Sequence, residues 1–235
     1  MRYTRQELKQ DRFAASAADA MHWTVEHRSK MVSAGIALAV ILLVFIGGYW
    51  FVHHRESAAS EALGHAMLIE QAPLRPAAIP ADPQQLSFAS VQERAQAAST
   101  EFNKVASEYG STRSGKFAKY FAGLAAVDQG NLKVAEDQLK YAASVRDSDV
   151  SSLSKLALAA VYRDSNRSND AINLYKELIA HPTQSVPKVM AQLQLAEMYA
   201  PKQPNEARAI YQQIVKDNPQ SAVGEMATAK MQELK

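Results

Sequence analysis

The chain has 235 residues, no cysteine, 47% apolar and 21% charged residues, and a formal net charge of +2. Without cysteine there is no disulfide, thiolate metal site, thiol nucleophile or lipidated N-terminal cysteine, and few glycines and prolines beside abundant alanine favour helix. Residues 1–30 hold six Lys/Arg against four acids and residues 53–235 hold twenty of each sign, so the large C-terminal part is neutral and has no general pull on nucleic-acid phosphates.

Thr4-Arg5-Gln6-Glu7 has the form of a helix capping box, and Phe13, Ala17, Met21 and Val25 follow at intervals of four. This predicts a short amphipathic helix within residues 1–30, either at the lipid surface, against a cytoplasmic partner, or as an ordered lead-in. Met31–Val52 then runs 22 residues without an ionisable group. As a helix it measures roughly 33 Å, enough for a bilayer core of about 30 Å, and Tyr49 and Trp50 stand near its end, where such rings favour the headgroup layer. The apolar run is longer than a cleaved signal sequence needs, and 30 residues precede it. An uncleaved anchor is the expectation. Arg12, Arg28 and Lys30 lie before the span and Arg55 alone after it, which predicts a cytoplasmic N-terminus and a C-terminal domain across the membrane.

Residues 53–85 read as a membrane-proximal helix, about Arg55–Ala72, and a linker holding Pro73, Pro76, Pro80 and Pro83. From residue 86 the chain repeats itself. Ala98, Ala135, Ala171 and Ala207 are spaced 37, 36 and 36 residues apart; each is followed four residues on by Phe102, Leu139, Tyr175 or Tyr211, and three further by Val105, Ala142, Leu178 or Ile214. Positions i, i+4 and i+7 share one helix face, so these residues are the expected packing set of a recurring helix. The helix with Ala98 is placed at about Leu86–Tyr109, with Arg55–Ala72 as its partner. The later ones pair as Lys116–Gln129 with Leu132–Val145, Ser152–Asp164 with Asn169–Ala180, and Pro187–Ala200 with Asn205–Lys216; Ala222–Leu234 would cap the stack.

The period and pattern resemble the tetratricopeptide repeat. Gly123 matches its small first-helix position, Tyr162 and Tyr199 its first-helix aromatic, and Pro219 its closing proline, although the early tryptophan is missing and one residue fewer separates Tyr199 from Ala207. The resemblance implies an all-α solenoid of helical hairpins that binds other proteins. In such arrays the first helices line a concave groove, which makes Tyr120, Leu124, Leu156 and Leu193 candidate partner contacts, with packing between helices as the other reading of the same residues. No phosphate-binding glycine loop, nucleophile elbow or zinc spacing occurs; His53 and His54 are adjacent and cannot share a helix face. The sequence therefore predicts no catalytic residue, no cofactor, no metal and no small-molecule substrate.

Taken together, a short cytoplasmic segment, one span, a helix leading outward and a degenerate tetratricopeptide-like domain resemble the bacterial ancillary subunit of the Sec translocon, best over Ala98–Leu178. That family implies a single-pass inner-membrane protein associating with the channel and with periplasmic chaperones to assist exported chains. The same architecture also suits an assembly factor for other cell-envelope or cell-division machinery.

Overall fold

The computed structural model describes residues 28–76, 79, 80, 82 and 84–234; the predicted N-terminal capping box and amphipathic helix lie outside them. Regular structure among these residues is helical: α1 (Arg28–Glu70), α2 (Val91–Glu108), α3 (Arg113–Asp128), α4 (Leu132–Ala143), α5 (Ser148–Asp164), α6 (Ser168–Ala180), α7 (Lys188–Tyr199), α8 (Pro204–Asp217) and α9 (Ala222–Glu233). They fall into two compact units, one ending at His54 and the other beginning at Arg55.

In the first unit α1 carries no Asp, Glu, Lys or Arg after Lys30. Its large apolar residues, from Val32 to Val52, are all 51 to 75% exposed. Tyr49 stacks on His53 and Trp50 on His54, with ring centroids 6.1 and 5.4 Å apart. Each imidazole therefore leans on the ring one turn before it.

In the second unit, residues Arg55–Glu70 of α1 pair with α2 through Ala66, Ile69, Ala98 and Phe102, and this cluster extends to Ala122 and Ala125 of α3. The pairs α3/α4, α5/α6 and α7/α8 follow, with α9 covering α8. A central cluster joins Ala126, Leu139, Leu158, Tyr162, Ala171, Tyr175, Leu178 and Leu195; a third joins Ala196, Ala207, Tyr211, Ile214 and Ala227. The cores are built by small residues admitting large ones. Gly123 faces Leu139 so closely that a Cβ there would lie 2.7 Å from the Leu139 Cγ.

The turns within pairs repeat as well. After α3 the Gly130 amide donates to the Val127 carbonyl (2.8 Å) and the Asn131 amide to that of Ala126 (2.9 Å). After α5 the Asn166 amide donates to Arg163 (3.0 Å) and the Arg167 amide to Tyr162 (2.8 Å). Both are the two-bond helix stop that needs a left-handed residue, supplied by Gly130 (φ 74°) and Asn166 (φ 58°). The turn after α7 is four residues rather than three, although Tyr199 stands one residue closer to Ala207 than Tyr162 does to Ala171; it places Pro204 at the start of α8 and holds no left-handed residue.

A different joint opens α3 and α9. The Thr112 hydroxyl donates to the Tyr109 carbonyl (2.7 Å) and accepts from the Gly115 amide (3.0 Å). The Ser221 hydroxyl donates likewise to Asn218 (2.8 Å) and accepts from Gly224 (3.2 Å). A Cβ on Gly115 would run into the Tyr109 carbonyl, and one on Gly224 into the Asn218 carbonyl.

Three helix starts differ from the sequence expectation, and α3 is one of them, beginning at Arg113 rather than Lys116 because Thr112 caps it. The segment Leu86–Ser90 is not helical: Phe88 pairs with Leu74 in a single bridge, closing the proline-rich loop, and Arg75 donates to the Ser87 carbonyl (2.8 Å). The α2 helix begins only where the Ser90 hydroxyl accepts from the Glu93 amide and the Glu93 carboxylate accepts from the Ala89 amide. The α5 helix starts a turn earlier than expected, because Asp147 caps the amides of Asp149 and Val150.

Glu56 of α1 fastens the first pair to α3. Its carboxylate accepts from the Arg113 amide (2.7 Å), the Ser114 amide (3.0 Å) and the Ser114 hydroxyl (2.7 Å), completing a helix N-terminus from another helix. Burial pushes this carboxyl upward, but the Ser114 hydroxyl, the two amides and the Arg113 charge outweigh it and hold its pKa below the usual value. A depressed carboxylate stabilises the fold above its unfolded pKa, near 4.3, and that stability is lost as pH falls through the folded value. Melts of the full-length protein in detergent are therefore expected to weaken below about pH 4, and Glu56→Gln to weaken the fold at pH 7 while flattening the acid limb. Parallel pH profiles for the two proteins would remove Glu56 from this role.

Candidate protein-binding surface

Within the second unit α1, α3, α5 and α7 are the first helices of their pairs, and α3 and α5 also touch one another directly. Ala98, Ala135, Ala171 and Ala207 on the second helices are fully buried, as are Phe102, Leu139, Tyr175 and Tyr211 one turn on. Their faces are consumed by the core.

Tyr120, Leu124, Leu156 and Leu193, all on first helices, are half-buried. Tyr120 and Leu156 rest against the central cluster, Leu193 against the C-terminal one. They are spread along the array rather than gathered into one pocket. The Tyr120 ring lies 5.1 Å from that of Phe121, and burial raises its phenol pKa, so Tyr120 presents a neutral ring edge. Half-burial is compatible with either reading of these residues, packing between helices or contact with a partner. Lys155, flanking Leu156, is tied to Glu177 at 2.6 Å.

Ion pairs lock the register of successive pairs. The Arg113 guanidinium reaches Asp147 (3.1 Å) and Asp149 (2.8 Å) and lies over the Phe117 ring. Asp149 in turn accepts from the Ser185 hydroxyl (2.9 Å), linking three successive first-helix starts. On another side Arg167 bonds Glu136 and Asp170, both at 2.8 Å, and stacks 4.1 Å over the Tyr162 ring. Bonds from Lys140 and Arg167 lower the Glu136 pKa, and Arg167 is pushed up by bonds to Glu136 and Asp170. The contacts of Arg113 with Asp147 and Asp149, of Ser185 with Asp149 and of Arg167 with Glu136 join residues 31 to 36 apart in sequence, so nothing local announces them.

Among the described residues no group of three or more His, Asp or Glu side chains could hold a metal ion. His181 borders a hollow of about 160 Å³ with Ser152, Lys155, Glu177, Leu178 and Thr183, while His65 is exposed on α1.

Comparison with known proteins agrees with this geometry: residues 22–235 match the family described as the tetratricopeptide repeat-like domain. The chain belongs to that family. No curated protein and no solved structure matches it. Tetratricopeptide-like arrays are typically scaffolds for other proteins rather than catalysts, and here the array accompanies one N-terminal helix long and apolar enough to be a membrane span or a signal sequence.

Proposed function

We propose that the protein is a membrane-anchored scaffold, held by Met31–Val52 with its N-terminus in the cytoplasm and its tetratricopeptide-like domain on the periplasmic side of a bacterial inner membrane. It catalyses nothing. It serves as an accessory factor at the Sec translocon, where its array receives exported proteins or the chaperones that meet them. The observation that carries the anchor is the unbroken exposure of large apolar residues from Val32 to Val52, which water disfavours and lipid does not. Lysine and arginine counts on either side support the orientation. The balanced charge of residues 53–235 supports protein rather than nucleic-acid partners, and the likeness of the whole arrangement to ancillary translocon subunits supports the export site.

In-cell crosslinking followed by gentle-detergent purification of the tagged full-length protein tests the partner. Translocon subunits and periplasmic folding factors are the expected companions; division or outer-envelope proteins in their place would transfer the scaffold to other machinery. Protease added to spheroplasts is expected to digest the C-terminal domain, and protection there with digestion in inverted vesicles would reverse the topology.

A further inference from the structure

Tyr175 of α6 and Tyr211 of α8 hold one register 36 residues apart, and Glu197 of α7 and Glu233 of α9 hold another at the same interval. Each phenol meets the glutamate of the first helix that follows it. At Tyr175, burial pushes the phenol pKa up, the Arg163 guanidinium pulls it down, and Asp164 and Glu197 add to the rise. Arg163 stands at the end of α5 and bonds Asp164 at 3.0 Å, and the Glu197 charge also favours it. One guanidinium thus serves a phenol and two carboxylates.

The next register has the acids and the phenol without that guanidinium. Ala200 follows Tyr199 as Arg163 follows Tyr162, and Pro201 stands where Asp164 does. Beside Tyr211 lies a hollow of about 520 Å³, walled by Ala200, Pro201, Pro204 and Leu234 and reached by Glu197 and Glu233. Tyr211 lines it while only 1% exposed, and its hydroxyl has no hydrogen-bond partner among the described residues. Burial, then Glu197 and Glu233, push this phenol up, and no cation pulls it back. Lys230 on the rim bonds Glu233 (3.2 Å) within one turn of α9, an exposed pairing of the weak kind that a better donor displaces. Arg208 is turned to Asn205 and to the Leu234 carbonyl, both at 3.5 Å. Among the described residues Glu197 accepts only from the Gln194 amide, at 3.4 Å.

We propose that this hollow receives an arginine side chain presented by a partner polypeptide, whose guanidinium takes among Tyr211, Glu197 and Glu233 the place that Arg163 takes among Tyr175, Asp164 and Glu197. Arginine suits it because a planar fork donates to two carboxylates and a phenol oxygen together, while its aliphatic stem lies along the proline and leucine wall. Glu197 and Glu233 are exposed, so the hollow opens to the surface. A free small molecule there would keep much of its own area in water, whereas a side chain carried by a bound chain needs only its tip enclosed. The inference rests on the protein-binding reading and not on the export site.

Ligand-detected NMR of the full-length protein in detergent, titrated with the capped tripeptide Ala-Arg-Ala, tests this. Saturable binding at about 1–10 mM is expected for one anchoring side chain offered alone. Citrulline in place of the arginine keeps the shape, loses the charge and should weaken binding by roughly tenfold or more; E233Q should do the same from the protein's side. A200R supplies the guanidinium from within the chain. It should abolish the titration and raise the melting temperature by roughly 2–4 °C, a gain that A200R/E233Q loses. No saturable binding, indifference to citrulline or to A200R, a melting temperature that A200R lowers, or free arginine bound as tightly as the capped peptide would each overturn the proposal. Failure of the scaffold reading shows in which proteins co-purify, whereas failure here shows in the titration.

Discussion

Replacing Tyr175 by alanine is expected to destabilise the array by about 3–5 kcal/mol, the range for removing a buried aromatic ring. Tyr175 is the largest fully buried side chain and sits in the central cluster that α3, α4, α5, α6 and α7 all enter. Burial raises its phenol pKa, so the hydroxyl is held neutral and adds little charge to that core. The ring's volume is what matters. Tyr175→Phe, which keeps it, should cost less than about 1.5 kcal/mol. Because each pair touches only its neighbours, the alanine variant should also melt in two steps, with the blocks on either side of α6 separating. A single unshifted transition by circular dichroism would mean that this cluster is not the keystone of the stack.

Gly115→Ala is expected to cost about 3 kcal/mol, near the top of the usual range for overpacking, even though alanine is the better helix former by about 1 kcal/mol. The conflict is with the backbone carbonyl of Tyr109, which cannot rotate away as a side-chain end can. In a domain of this size that is a fall in melting temperature of roughly 6–12 °C. Gly224→Ala makes the same clash with Asn218, but on the terminal helix, and should loosen α9 with a smaller shift of the main transition. Equal shifts at the two glycines, or a rise at Gly115, would contradict the close approach described for this joint.

The alanine register was readable from the sequence because a residue shared by helix faces returns at a nearly constant interval: Ala135, Ala171 and Ala207 all reach zero exposure. The start of α2 was readable too, since Ser90-Val91-Gln92-Glu93 has the capping-box form, but the apolar Leu86 and Phe88 just before it extend the helical pattern and mask the boundary. At α5 the polar run Ser148-Asp149-Val150-Ser151 hides a first turn that Asp147 caps. Of the expected groove residues Tyr120, Leu156 and Leu193 follow one register position and Leu124 lies a turn on from Tyr120, yet sequence alone cannot divide a half-buried side chain between core and surface. The bonds of Glu56 to α3 and of Arg113 to Asp147 and Asp149 depend on how one pair is set against the next. Their signal is geometric and appears only once the pairs are stacked.

The Thr112–Gly115 and Ser221–Gly224 joints lie 109 residues apart and are made in the same way: a hydroxyl bonded to the carbonyl three residues back, and a glycine admitting it. One opens the first complete pair and the other opens the closing helix. A coupling with the same fitting at both ends allows whole units to be inserted or removed between them without refashioning either terminus. Length in such a protein is therefore a free variable, and the reach of the array can change by one hairpin at a time while its first pair and its closing helix stay as they are.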